Sequence, residues 1–422
     1  AIKPLQEALK LTENDTKILK LLTLCYTHEK DTASLISVMQ KRTDITRDDF
    51  EFHFQLGDLL LKAKKNEQAI QSFEKALKIK PKNISTHLNL IKLYTEVKNR
   101  EKLISQIDQV LKIDPKNADI HYKKAIYHIV YDEISNAKAS LKKTIQLRPK
   151  HHVAQFKLAQ LLEKEEKYKT AYNHYTEAVK NDVKNIEYLI ALARVSEIIG
   201  KRSYAVKVIN KALELKPGDV KVIQFAGFIY YKSGQNEKAV DLLLKGIELD
   251  ANCTFCNEIL GTLYYSKNEY VKASRYLEKA TQLSNKNDTI LLQYANTLYF
   301  QGNFTQAKDY YSEAFTRNPE NDMALYRLCE MYLFEGEIGK AELVIQNNKR
   351  DRKSGWIHLT EAKIYEASNK IEAAYKSYIQ AFEAIPDNFE ALKGLGSISI
   401  LQNKYNKALE YYGKAMTLKP ND

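Results

Sequence analysis

At 422 residues, with 44% apolar and 28% charged side chains, the chain has a globular composition and room for two or three ordinary domains, which excludes a disordered polymer. No run of about 18 apolar residues occurs, so no segment reads as a transmembrane helix. The formal charge of +12 is uneven: residues 51–150 hold 20 Lys and Arg against 11 Asp and Glu, whereas residues 301–400 hold 12 against 15, so any preference for acidic partners belongs to the N-terminal third.

From the N-terminus, residues 1–15 carry Ala1, Leu5 and Ala8 at helical spacing and predict a single helix, with Pro4 in its first turn, where proline is tolerated. Residues 16–49 predict a helix pair through Leu22, Tyr26, Leu35 and Met39. A phrase then begins to return: KALKIKPKN at 75–83, QVLKIDPKN at 109–117, KTIQLRPKH at 143–151 and KALELKPGD at 211–219. Seven of the eight prolines keep its phase, namely Pro81, Pro115, Pro149, Pro217, Pro319, Pro386 and Pro420. Their gaps are multiples of 34 except one of 67. A period this regular marks a repeat architecture.

Each period has two halves. The first carries a large residue, a Leu–small pair and a further large residue: His53, Leu56–Gly57 and Leu60, or Asn257, Leu260–Gly261 and Tyr264. The second carries Ala, a large residue four on and Ala three on: Ala69, Phe73 and Ala76, or Ala408, Tyr412 and Ala415. Spacings of three and four put these residues on one face of a helix, and the small ones let two helices approach closely. Lys65–Asn66, Gly234–Gln235 and Gly302–Asn303 supply the turn between halves. Proline stops the second helix, because it donates no backbone hydrogen bond and drives the residue before it out of helical conformation.

These positions resemble the tetratricopeptide repeat (TPR) family along essentially the whole chain. The resemblance implies an all-α fold, a right-handed α-solenoid of helix–turn–helix repeats in which each unit contacts its neighbours. Full repeats are placed at 50–83, 84–117, 118–151, 152–185, 186–219, 220–253, 254–287, 288–321, 322–354, 355–388 and 389–422, with a degenerate repeat at 16–49 and the second helix of a truncated one at 1–15. Beginning in mid-repeat predicts further repeats upstream, and the missing polar capping helix predicts a trimmed C-terminus.

Motifs with chemistry are scarce. There is no phosphate loop, Gly-x-Ser-x-Gly elbow or His-Glu-x-x-His helix, so no catalytic residue, metal or cofactor is assigned and an enzyme is not expected. Cys253 and Cys256 form a lone CTFC pair, read as an incidental turn sequence, with a disulfide or redox pair as the alternative. His53, His87, His121 and His358 share one repeat position. Equivalent atoms of stacked helices lie about 8–10 Å apart, too far to share a metal ion, so packing is expected, with a pH-sensitive seam as the alternative.

In TPR proteins the second, fifth, sixth, ninth, twelfth and thirteenth residues of the first helices line the concave face. Those positions give a basic wall of Asn89, Lys92, Lys123, Lys157 and Arg194. They also give an aromatic groove of Phe225, Phe228, Tyr231, Phe255, Ile259, Tyr265, Leu292, Tyr299, Tyr326 and Trp356. At the twelfth and thirteenth positions, Tyr299–Phe300 and Leu333–Phe334 are the pairs expected to be structural. A carboxylate clamp of the chaperone-binding kind is not matched: Asn89 fits its middle position, but Phe54 and Asp58 precede it and Asp119 and Lys123 follow. Nucleic acid is disfavoured, because the aromatics and the basic wall occupy different zones instead of interleaving. The expectation is a non-catalytic protein–protein interaction scaffold, holding a peptide segment or amphipathic helix in its groove, within a multiprotein assembly. The alternative is a recognition or regulatory region of a larger enzyme or of an envelope or motility complex. Self-association through terminal repeats is a further expectation.

Overall fold

A computed structural model describes residues 1–12, 15–43, 48–284, 287–348 and 354–420. Parts of the repeats placed at 16–49, 322–354 and 389–422, namely residues 44–47, 349–353 and 421–422, lie outside the described residues. The described residues form α-helices and turns, with no strand among them. Two compact units divide the chain, Ala1–Val195 and Ser196–Asp422.

The first unit comprises α1 (Ile2–Leu11), α2 (Thr16–Glu29), α3 (Thr32–Arg42), α4 (Phe50–Lys62), α5 (Asn66–Ile79), α6 (Ile84–Glu96), α7 (Arg100–Ile113), α8 (Ala118–Val130), α9 (Ile134–Leu147), α10 (His152–Lys164) and α11 (Tyr168–Asn181). The division falls within α12 (Ile186–Ile198). The second unit continues with α13 (Arg202–Leu215), α14 (Val220–Lys232), α15 (Asn236–Leu249), α16 (Thr254–Ser266), α17 (Tyr270–Leu283), α18 (Asp288–Phe300), α19 (Phe304–Arg317), α20 (Asp322–Phe334), α21 (Ile338–Asn348), α22 (Gly355–Ala367), α23 (Ile371–Ala384), α24 (Phe389–Leu401) and α25 (Tyr405–Leu418).

Local chemistry fixes where these helices start. The residue before most first helices turns its side chain back onto the free N–H groups of the opening turn: Asp49 to Phe52, Asn83 to Thr86, Asn117 to Ile120, Asn321 to Ala324 and Asn388 to Ala391. Second helices stop where the chain turns extended. Lys80, Asp114, Arg148 and Lys216, each driven out of helical conformation by the proline that follows it, have φ between −126 and −143° and ψ between 76 and 86°.

The turn inside each pair is a left-handed one. Its residue is Gly at 200, 234, 302 and 336, Asn at 268, 369 and 403, Asp at 132, and Lys30, Lys64, Lys98 and Glu166 in the remaining described pairs, with φ of 55–58° at those last four. The next N–H then reaches back five residues, as Lys65 to Leu60 and Asn99 to Tyr94, both at 2.9 Å. The turn therefore sits one residue earlier than the Lys65–Asn66 pair suggested. A lysine held left-handed carries Cβ strain, so Lys98→Gly is expected to raise stability by about 0.5–1 kcal/mol in urea titration.

Close approach within a pair rests on the small residues. A Cβ at Gly57 would lie 2.7 Å from Phe73, and one at Gly227 would lie 2.6 Å from Leu243. Ala69, Ala76, Ala171, Ala178, Ala239 and Ala307 are completely buried. Each second helix also packs on the first helix that follows it, as α5 on α6 and α17 on α18. In the second unit, successive first helices touch one another too: α14 with α16, α16 with α18, α20 with α22 and α22 with α24. These contacts join first helices in two runs, α14–α16–α18 and α20–α22–α24.

Candidate functional site

In the second unit, α14 and α16 bring three phenylalanines together. The Phe255 ring stands 6.0 Å from Phe225 and 5.8 Å from Phe228, and all three are half-buried. Edge-to-face and tilted pairs at these distances are favourable beyond the area they cover. Tyr231 lies one turn further along α14, where the Lys232 ammonium stands over both Phe228 and Tyr231, 5.6 and 5.8 Å from their centroids.

A second run of rings lies on α16 to α20. Tyr265 faces Phe300 at 6.0 Å, Phe300 stacks on Tyr270 at 5.2 Å, Tyr299 meets Phe304 at 5.4 Å, and Phe304 meets Phe334 at 5.0 Å. Phe300 and Phe334 are 47% and 66% exposed. The two positions expected to be structural are thus the most open aromatics of this face, because they stand at the ends of their helices, beyond the contact between neighbouring first helices.

Three expected groove residues lie deeper. Ile259, Leu292 and Tyr326 are 7, 9 and 1% exposed, and Tyr326 packs against Trp356 at 5.3 Å. They form the floor between first helices and present almost no surface, which corrects the expectation that they line the open face. Trp356, Tyr265 and Tyr299 remain half-buried.

The sequence reading missed a charged cluster on the same helices. Lys363 of α22 reaches Glu330 of α20 at 2.7 Å and Glu390 of α24 at 3.1 Å, and Arg327 reaches Glu330 at 2.7 Å. Burial pushes the Glu330 carboxyl up, but Lys363 and Arg327 outweigh it and hold it below its ordinary range. Burial opposes the charge of Lys363 as well, yet Tyr326, Glu330 and Glu390 raise its pKa above the usual lysine value. Arg327 Nε is buried with no hydrogen-bond partner. The available signal was positional: Arg327, Glu330, Lys363 and Glu390 occupy sixth, ninth, ninth and second places in three successive first helices.

In the first unit the basic wall is less free than its composition suggested. Arg194 Nη2 donates to Glu163 at 3.0 Å, and Tyr175 donates to the same carboxylate at 2.7 Å. Lys157 bonds Gln160 at 3.2 Å. Lys92 and Lys123 are exposed, and Asn89 is half-buried. The wall thus contributes two open ammonium groups.

Two of the repeated histidines serve the backbone. His87 Nε2 lies 2.8 Å from the Pro81 carbonyl and His121 Nε2 3.0 Å from that of Pro115; at the next equivalent position Gln155 donates to Pro149 at 3.3 Å. Each satisfies a carbonyl left over where a second helix ends. The shared spacing of six residues was the missed signal. Among the described residues no three His, Cys, Asp or Glu side chains are placed to hold a metal ion.

Cys253 and Cys256 are joined as a disulfide, which corrects the reading of CTFC as an incidental turn. Cys253 caps α16, its sulfur accepting the Cys256 N–H at 3.0 Å and the Gln224 amide at 3.1 Å. Both cysteines are buried. Room for the bond comes from Gly246 of α15, where a Cβ would lie 2.8 Å from Cys256 Sγ; Ala212 and Ala280 hold the corresponding places one repeat away. Phe255 sits between the bonded cysteines, so the bond fixes the backbone that carries it. Cys329 is a buried free thiol whose pKa burial pushes up to about 12, which makes it a poor nucleophile.

No helix among the described residues is long and apolar enough to cross a membrane. Comparison with known proteins finds no match among curated sequences. Among solved structures, the chain is similar to the yeast Tom70 crystal structure, at 16% identity over 87% of this chain and 92% of that one, with a TM-score of 0.43. It is similar to the APC/C hetero-tetramer Cut9–Hcn1 at 11% identity, over 100% and 96% of the two chains, with a TM-score of 0.47. It is also similar to YrrB, described as a TPR protein with an unusual peptide-binding site, at 21% identity over 44% and 95%, with a TM-score of 0.40. Three family models, each a tetratricopeptide repeat, match residues 60–127, 146–320 and 359–422. With those matches spread across a chain of paired helices that start every 33 or 34 residues from Phe50 onward, the protein belongs to the tetratricopeptide repeat family.

Proposed function

We propose that the protein is a non-catalytic interaction scaffold that holds a partner segment, an amphipathic helix or an extended apolar peptide, on the first-helix face of its second unit. The observation that carries this reading is the Phe225–Phe228–Phe255 cluster, in which Phe255 packs on both other rings and all three nonetheless keep part of their surface in water. Exposed aromatic surface on rigid helices is costly to leave wet and is what binding hot spots are made of. Phe300, Phe304 and Phe334 extend the apolar surface along the same unit. Tyr231, Tyr265, Tyr299 and Trp356 flank these contacts, while Ile259, Leu292 and Tyr326 support them from beneath.

The test is the joint substitution of Phe225, Phe228 and Phe255 by alanine in the full chain. Affinity capture from source-cell extract, with mass spectrometry of what is retained, should show a protein held by the wild type and lost from the variant. The variant should keep wild-type helicity by circular dichroism. Equal capture by both proteins overturns the assignment of this face. A variant that loses its helices shows the three rings to be core, with the same consequence. Recovery of RNA or DNA instead of protein overturns the scaffold reading itself.

A further inference from the structure

We propose that Glu258 is the counter-charge for a basic residue of the partner, so that the aromatic face takes an apolar peptide segment carrying a lysine or arginine. This rests on the interaction reading above and names the chemistry of its occupant.

Glu258 lies on α16 three residues after Phe255, one turn along on the same helix face. Its neighbour Phe255 is the ring that joins Phe225 and Phe228. The Glu258 side chain is half-buried yet enters no ion pair and no hydrogen bond with the described residues, and burial alone pushes its carboxyl above the ordinary range. Half-buried carboxylates on later first helices of the same unit are treated otherwise: Glu330 of α20 has Arg327 and Lys363, and Glu366 of α22 accepts the Tyr378 hydroxyl. An unpaired carboxylate partly removed from water loses hydration that only a donor from outside can replace. A cation replaces it best, because the same site offers the faces of three phenyl rings, which attract positive charge. Phe228 already accepts the Lys232 ammonium, 5.6 Å from its centroid. An acidic segment would meet Glu258 as a like charge, and a purely apolar one would cover it without compensation.

The experiment selects a random 12-residue peptide display library on three immobilised full-length baits: wild type, Glu258→Gln and the Phe225/Phe228/Phe255 triple alanine. Wild type should enrich apolar sequences that share one Lys or Arg. The leading peptide is then synthesised with that residue basic and as Gln, and both forms are titrated by fluorescence anisotropy. Wild type should prefer the basic form about tenfold, and Glu258→Gln should lose that preference while still binding the Gln form. An unchanged preference on Glu258→Gln, or enriched peptides without a basic residue, overturns the counter-charge and leaves the aromatic face standing. Equal enrichment on the triple alanine overturns the face as well, and so does the absence of enrichment over bare support. Thermal melting supplies a separate check. Removing an uncompensated carboxylate should leave the melting temperature unchanged or raised, and a lowered value would show a structural role that sinks the proposal.

Discussion

Gly261→Val is expected to cost about 3 kcal/mol and to open the α16–α17 pair. A Cβ at Gly261 would meet Leu277 Cγ at 2.5 Å, its Cδ2 at 2.8 Å and its backbone N at 3.3 Å. The first two belong to a completely buried side chain and the third to a helix backbone, so nothing flexible can yield. Two branched methyl groups force α16 and α17 apart, and α16 carries Phe255 and the capping Cys253. Amide exchange should therefore accelerate across residues 254–283 well before the first unit is affected. Gly413→Ala is the matching control. It also lies inside a helix, but nothing stands within 4 Å of its absent Cβ, so the alanine should stabilise α25 by about 0.5–1 kcal/mol. Equal effects at the two glycines would refute the account of helix approach given above.

Lys363→Met should be nearly as damaging, at about 3 kcal/mol, because it leaves the half-buried Glu330 with Arg327 alone and takes from Glu390 the ammonium it faces. The pH dependence identifies the cause. Glu330 has a folded pKa below its unfolded one, so its contribution is full above the ordinary carboxylate range and is lost as pH falls through the lower folded value. Lys363 has a raised folded pKa, so its contribution is full below about pH 10.5 and is lost only as pH climbs through the folded value. The gap between wild type and Lys363→Met, measured by urea unfolding, should be widest between those limits. It should narrow in acid, where protonated Glu330 has no charge to lose. A gap independent of pH would mean that methionine fails for reasons of shape alone.

What the sequence made legible was whatever repeats. The prolines and the Leu–small and Ala positions recur in phase because each solves the same local problem in each helix pair. The features that escaped are those that the period does not announce. Lys64, Lys98 and Glu166 hold a left-handed turn without the Gly or Asn that would mark it. The Cys253–Cys256 bond stood only as the alternative reading of CTFC, and the signal that favours it, the loss of a methyl at Gly246 in the last turn of α15, occurs once. On the candidate face the sequence names residue type and not depth. Tyr326 sinks where α20 touches α22, while Phe300 and Phe334 stay open at the last positions of their helices. Depth depends on how far neighbouring first helices overlap, and that is a property of packing that no single period records.

Asn83 and Asn117 perform the same act at positions one period apart, each turning its side chain onto the opening turn of the next first helix. Excision of residues 84–117 would set Asn83 directly before Ala118, with the cap intact, the preceding turn unchanged and no reading of the fold interrupted. A gene for this protein can therefore lengthen or shorten by whole periods through slippage between near-copies, at little structural cost. A loss of five or ten residues from the same region would misalign every cap and turn in the pair it struck. Natural variation in length should accordingly come in steps of one repeat.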